Sequence, residues 1–440
     1  MKRKILDTIE ARAADIALVA ETVGATPEAG YQEVRTSAFM ADRLRQAGVS
    51  NLEACAVTGL KGWLPRRPKA GASVALLAEL DALKCPTHPG ADPRTGMAHA
   101  CGHHAQLAAL YGCALGLGAV RDTLDGDVCV MCAPAEEYGQ LGYRKGLMDH
   151  GRIAWFGGKQ QMIAEGCFED IDMAMMVHAA CEGPPGQTTD TAASLGFIGK
   201  QVAFVGRSAH AGAAPWDGVN ALNAATLAIQ AIHALREGFR DEDMVRVHPV
   251  ITHGGDSVNT VPDRVEMECY VRAKSTAAMR AVNSRVNRAL RGAAHALGAR
   301  AEIEDFPGYL PIEPCQPLAR LFVANAALLL PDMECGMGQM FPASTDMGDL
   351  SAVLPAIQPT VTGFAGGLHR ADFQPLDPYY AYVFPAIVMA MTVYDLLKDG
   401  TRAALAVKRT GRRRTREEYM ELWHNVLASP ENEEVAGYGR

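Results

Sequence analysis

SVALLAEL at 73–80 is a short run of β-branched and aliphatic residues, and it sets the reading of the fold. A helical stretch follows from about 105, DVCVMCAP at 127–134 repeats the strand pattern, and DIDMAMMVHA begins at 170. Strands alternating with helices have the βαβ rhythm of an α/β domain built on a mostly parallel, helix-covered sheet. Asp81, Glu136, Glu137 and His178 all fall at or just past the C-terminal ends of these strands. Open α/β sheets bind their ligands there.

The pattern changes from about 196. GFIGKQVAFVG, VRVHPVITHGG and DRVEMECYVRA read as strands, separated by helical segments at about 218–236 and 276–297, which together describe a strand-rich α+β unit. After the Pro-rich FPGYLPIEP at 306–314, apolar helices and the strand IQPTVTGF return. The expected organisation is a first domain over 1–195, an inserted domain over 196–308, and a resumption of the first domain over 309–440. The last part ends in a polar tail whose basic cluster KRTGRRRTR at 408–416 is expected to be solvated.

A chain of 440 residues exceeds what one hydrophobic core supports, so two domains suit its length as well as its pattern. With 48% hydrophobic and 21% charged residues the composition is globular, and a formal charge of -8 argues against a nucleic-acid partner. The N-terminus begins with basic residues, but Asp7, Glu10 and Asp15 interrupt any apolar core that a signal peptide would need. It reads as an amphipathic helix, and no run of about 18 uncharged apolar residues suggests a membrane span. Eleven cysteines, an odd number without framework spacing, fit a reducing compartment, and the expected location is cytoplasmic.

The chemistry concentrates in HACGHH at 99–104 and APAEE at 133–137. Thiol, imidazole and carboxylate form the ligand set of a borderline divalent ion. Cys101 and His103 are two apart, so in an extended segment both side chains point to one side, and a helix beginning near Ala105 aims its positive end at them. That end favours a thiolate. Of the adjacent Glu136 and Glu137, one carboxylate can bind metal while the other moves protons. His178, closing its strand, and His369, in GFAGGLHRADF, are each weak signals alone, because a lone histidine is more often structural than ligating.

With these motifs in place the chain resembles the M20 metallopeptidase and amidohydrolase family, in the branch of aminoacylase-like, hippurate and indole-acetyl-amino-acid hydrolases. The resemblance runs through TPEAGYQEVRT at 26–36, LAELDAL at 77–83, HACGHH, PAEE and the His178 strand. It continues through GRSAHAGAAPWDGVNAL at 206–222, GGDSVNTVPDRVE at 254–266, STDMGDLS at 344–351 and GGLHRADF. It implies that the inserted α+β unit is a ferredoxin-like lid and dimerisation domain, so that the protein is a homodimer. It implies Cys101, His103, Glu137, His178 and His369 as ligands of two divalent ions, manganese or zinc foremost, with cobalt or nickel tolerated, and Cys101 bridging. Glu136 would be the general base, Asp81 an acid that orients a ligand, His210 the group that polarises the substrate carbonyl, and Asn259 and Arg272 substrate contacts. The implied activity is hydrolysis of a C–N bond in a small N-acyl amino acid, aryl amide or dipeptide-like amide.

Departures from the branch pattern stand beside the matches. His104 takes the place of an aspartate, Gln106 that of a histidine, and Trp216 follows Pro215 where a histidine is usual. They leave open an aminohydrolase that releases ammonia from an aromatic amine or amidine, and, as a further class, a metal-stabilised protein without turnover. Residues 138–166 form a longer excursion than the branch carries between PAEE and the next ligand strand. Its Tyr143, Arg144, Trp155 and Phe156 suit either an aromatic, carboxylate-bearing substrate or a surface excursion.

Overall fold

The structure, a computed structural model, describes residues 1–66, 71–190, 193–336, 338, 340–410 and 414–428. The chain divides into two compact units. The first comprises Met1–Ala193, Ile312–Phe341 and Asp346–Arg416, and the second Ser194–Pro311, Pro342–Thr345 and Glu417 onward.

The first unit is built on a six-stranded sheet. Ser73–Glu79 lies between Asp127–Ala133 and Met173–Met175, parallel to both, and Ala356–Ile357 adds a further parallel strand beside Met173–Met175. An antiparallel hairpin, Ser50–Cys55 and Gly59–Trp63, completes the other edge. Every residue of Ser73–Glu79 and of Asp127–Ala133 is buried, as strands covered on both faces require. The helix His103–Ala119 is apolar around its circumference and packs against Phe384–Leu397 and the N-terminal helices Lys2–Glu10 and Ala13–Gly24. The single amphipathic helix expected at the N-terminus is therefore two, and Ile5, Ile9 and Ile16 are among the residues they bury. Among the described residues one stretch, Tyr379–Leu397, is long and apolar enough to cross a membrane, and 83% of its apolar window is buried inside the fold.

The second unit carries a four-stranded antiparallel sheet in the order Arg246–His253, Arg264–Ala273, Gly196–Val205, Arg300–Tyr309. Helices Ala221–Leu235 and Thr276–Ala296 complete a βαββαβ ferredoxin-like unit. Its core joins Val202 and Phe204 of the sheet to Ala224, Ala228, Val286 and Leu290 of the helices. Asn220 and Ser275 cap the two helices by accepting backbone N–H groups.

The C-terminal helix Arg416–Leu427, expected from the sequence to be part of a solvated tail, buries Tyr419 and Trp423, and the Trp423 indole donates to the Tyr419 hydroxyl at 3.1 Å. Two large aromatics four residues apart share one helix face, and that face needs cover. The basic cluster before this helix is docked in part within the first unit. Lys408 pairs with Asp172 at 2.7 Å, and Arg414 donates to the carbonyl of Ala352 at 2.6 Å. Residues 411–413 of that cluster lie outside the described residues.

Candidate metal centre

Gly102 decides how HACGHH is presented. Its φ of 91° turns the chain straight into the helix at His103, so Cys101 and His103 do not share the extended segment the spacing suggested. A Cβ at this position would stand 2.6 Å from that of Ala179, so glycine serves both the turn and the close approach. The consequence is that Cys101 meets the end of the His178 strand. Cys101 Sγ lies 3.5 Å from His178 Nε2 and 3.3 Å from His369 Nε2, and His369 Nε2 lies 3.2 Å from Glu137 Oε1.

His103 is held from behind. Its Nδ1 lies 2.8 Å from the carbonyl of Asp81 and 3.3 Å from that residue's Oδ1, while Asp81 Oδ2 accepts the backbone N–H of Glu137 at 2.8 Å. Asp81 thus orients one candidate ligand and anchors the turn carrying another. The ligand atoms of Cys101, His103 and His178 lie within 4.8 Å of one another, as do those of Cys101, Glu137 and His369. Cys101 is common to both groups. His103 Nε2 and Glu137 Oε1 are buried without a hydrogen-bond partner, which suits donor atoms that face a cation. The donor set, sulfur, imidazole nitrogen and carboxylate oxygen, fits a borderline divalent metal.

The electrostatics separate the two adjacent glutamates. Burial, then the charges of Glu79, Glu137 and Asp346, pushes the Glu136 carboxyl well above the usual range. Burial also works against ionised Glu137, but its bond with His369 and the charges of His369 and His103 outweigh it and lower that carboxyl. For Cys101, burial and Glu137 oppose ionisation. His178 and the hydrogen bonds from His103 and His178 overcome them and bring the thiol down to about 6. Hydrogen bonds to Cys101 and Glu137 hold the His369 imidazolium up to about 11.

A third cluster escaped the sequence reading. Glu79, the last residue of its strand, is fully buried and places Oε2 3.0 Å from His103 Nε2. Lys159, also fully buried, binds Glu79 Oε1 at 2.6 Å and pairs with Asp346. Gln106 donates to Glu79 Oε2 at 2.8 Å and accepts the Glu79 backbone N–H at 3.0 Å, so the glutamine has a structural partner. The signal available was an acidic residue ending an otherwise apolar buried strand, since a buried charge needs a counter-charge. His104 packs edge-on against Phe364, Phe373 and Tyr382, and burial, aided by His103 and His88, presses its imidazole down to about 3. It is neutral and sits among aromatic rings.

Within the excursion at 138–166, Arg144, Trp155 and Phe156 are buried, and the Arg144 guanidinium donates to the carbonyls of Ala135, Glu137 and Phe156. Arg144 is therefore not the receptor for a substrate carboxylate that its composition suggested. Tyr143 is 41% exposed.

His210, Asn259 and Arg272 belong to the second unit. His210 Nδ1 accepts the backbone N–H groups of Gly212 and Ala213, both at 3.1 Å, which leaves Nε2 as the protonated nitrogen of the neutral ring. The Asn259 carbonyl accepts from Ala211 N–H, and His210 pairs with Thr260 across an isolated bridge, so His210 and Asn259 are neighbours. Arg272 donates to Ser344 Oγ at 2.9 Å and lies over the rings of Phe197 and Tyr270. Trp216 is 76% exposed on the turn Pro215–Asp217.

Fold and site together define a metal-dependent amidohydrolase. Residues 193–297 match the peptidase dimerisation domain of M20 enzymes. The chain is 29% identical over 378 residues to Xaa-Arg dipeptidase of Mus musculus, covering 82% of this chain and 79% of that one. It is 32% identical over 210 residues to a p-aminobenzoyl-glutamate hydrolase of Escherichia coli, covering 47% of this chain and 43% of that one. A Bacillus subtilis structure described as a dinuclear metal-binding peptidase from the M20 family superposes with a TM-score of 0.66 at 20% identity, covering 88% of this chain and 99% of that one. The chain belongs to the M20 metallopeptidase and amidohydrolase family.

Proposed function

We propose that the protein hydrolyses the C–N bond of small amides, N-acyl amino acids or dipeptide-like molecules, with Cys101, His103, Glu137, His178 and His369 holding two divalent cations and Cys101 shared between them. The observation that carries this reading is the opposite displacement of two neighbouring carboxyls, Glu137 lowered and Glu136 raised, beside two ligand clusters that meet at one thiol. Titratable neighbours pushed apart by their surroundings divide acid–base work from charge binding. Manganese or zinc suits the donor set best, and cobalt or nickel is tolerated by it.

Such cations supply Lewis-acid polarisation and an acidified water when bound. The protein's own groups do the rest. Glu136, whose surroundings favour the protonated form, accepts a proton from water and returns it to the departing amine nitrogen. Asp81 fixes the direction of His103 and of the Glu137 backbone. His210 presents Nε2–H as a donor for the substrate carbonyl oxygen, a role most valuable when charge develops on that oxygen. Asn259 and Arg272 are assigned to substrate contact.

The substrate class draws on relatives whose names specify a dipeptide with C-terminal arginine and an aromatic acyl-glutamate. An aromatic, carboxylate-bearing amide is one arm of the panel this reading calls for. Assembly as a homodimer through the second unit is supported by the match of residues 193–297 to a dimerisation domain. All eleven cysteines are free, in keeping with a reducing, cytoplasmic setting. Gln106 and His104 have structural partners, which removes the main support for ammonia release from an aromatic ring.

Glu136→Gln tests the assignment. Metal content is expected to stay near wild type while turnover of an N-acyl amino acid falls by at least about a hundredfold, the ordinary cost of a lost acid–base group. Unchanged turnover removes Glu136 from the mechanism.

A further inference from the structure

We propose that Arg144 is a positioning residue for the turn that presents Glu136 and Glu137, an inference that rests on the catalytic reading above. The turn needs holding. Ala135 has a φ of 53°, a left-handed conformation that a residue with a Cβ adopts only when its surroundings impose it. Two carboxylates secure its N–H groups: Glu33 Oε1 accepts from Ala135 at 2.8 Å, and Asp81 Oδ2 accepts from Glu137 at 2.8 Å. Arg144 secures its carbonyls. Nη1 donates to the Ala135 carbonyl at 3.2 Å, Nη2 donates to the Glu137 carbonyl, and Nη1 also donates to the Phe156 carbonyl at 2.6 Å.

One planar guanidinium therefore spans the two carbonyls on either side of Glu136. Its own position is determined in turn. Arg144 is 2% exposed and lies 5.6 Å from the ring of Tyr31 and 5.8 Å from that of Tyr138. Gly30 leaves the space, because a Cβ there would stand 2.6 Å from Arg144 Nη2 and 2.8 Å from Ala135 Cα. The fork of donors in a guanidinium can bridge two fixed acceptors, whereas an ammonium is a point charge that cannot hold the same pair in the same plane. Without that bridge the Ala135 and Glu137 peptides can rotate, and the Glu136 carboxylate swings with them. Glu137 loses its orientation by the same motion.

The test uses the full-length protein loaded with Mn2+ and an N-acyl amino acid that wild type turns over. For Arg144→Ala and Arg144→Lys, kcat is expected to fall roughly a hundredfold with KM nearly constant, as a misplacement of about 1 Å in a reacting group produces. Affinity for Mn2+ alone, measured by chelator competition, is expected to weaken about 10- to 100-fold, as for other groups that orient metal ligands. Dilute guanidinium added to folded Arg144→Ala is expected to restore kcat at least about tenfold by supplying the same fork, with methylammonium ineffective. If the alanine variant does not fold, the lysine variant carries the test through kcat and Mn2+ affinity. Wild-type kcat and Mn2+ affinity in both variants overturns the proposal, as does a folded alanine variant that guanidinium fails to rescue. An inactive Glu136→Gln beside a fully active Arg144→Ala sinks this inference alone. A fully active Glu136→Gln sinks the catalytic reading, while the effect of Arg144 on Mn2+ affinity still reports on the clamp.

Discussion

Replacing Lys159 by Met is the most demanding perturbation of this interior. Met preserves most of the side chain's length and apolar contact, so the change isolates the charge. Lys159 is fully buried, 2.6 Å from Glu79 and paired with Asp346, both of them also fully buried. Burial alone would raise the Glu79 carboxyl, but Lys159 and then His103 outweigh it and bring it down to about 2, whereas burial leaves Asp346 up at about 6 despite the same ammonium. Removing the cation strands two carboxylates, and the cost of breaking a buried ion pair is about 3–5 kcal/mol. The first unit has roughly 300 residues, so at about 2.1 cal/mol/K per residue this corresponds to a fall in Tm of roughly 5–8 °C. Differential scanning calorimetry of metal-free wild type and variant measures it. The pH dependence has a definite sign: without Lys159 the folded-state carboxyl pKa values lie above their unfolded values, so the deficit grows as pH rises and shrinks as the carboxyls protonate. Adding Asp346→Asn removes one stranded charge and is expected to recover part of the loss in a double-mutant cycle. A shift below about 1 °C at neutral pH refutes the reasoning, because it means the carboxylates are solvated or paired without Lys159.

Metal binding is expected to release protons. His369 holds its proton up to about 11 between Cys101 and Glu137, so at neutral pH a cation that takes its Nε2 must expel about one proton. Calorimetric titration with Mn2+ in buffers of different ionisation enthalpy counts it, and a count of zero excludes His369 as a ligand. Affinity should fall as pH is lowered, more steeply below about 6 where the Cys101 thiolate also protonates. Cys101→Ala removes the donor shared by both clusters and is expected to lower the metal-to-protein ratio itself. An unaltered ratio by elemental analysis shows that the thiol is not a ligand.

Much of the first unit was legible because its strands are short, apolar and wholly buried, and because a sheet of that kind gathers ligands at one set of strand ends. Glu136, Glu137, Asp81 and His178 could be placed from that rule alone, and HACGHH advertised its chemistry through residue types that rarely occur together. The βαββαβ order of the second unit was likewise visible in the change of periodicity near 196. Contacts that depend on three-dimensional closure were not visible. Nothing local tells that Lys159 and Arg144 turn inward, since both come from a Gly-rich polar stretch whose composition suits solvent or a pocket equally well. Gly102 hid the start of the helix, because a left-handed residue lets His103 be helical while Cys101 stays outside. Tyr419 and Trp423 were masked by the charged residues around them, although their spacing marks one apolar face.

The excursion at 138–166 has a consequence for anyone who would trim this protein to a shorter framework. Although it reads as an ornament on the rim, it supplies an ammonium to one group of interior acids and a guanidinium to the peptide planes beside another. Excision would leave the acids without their counter-ion and the turn without its brace, and the damage would reach the heart of the catalyst from a cut made at its margin.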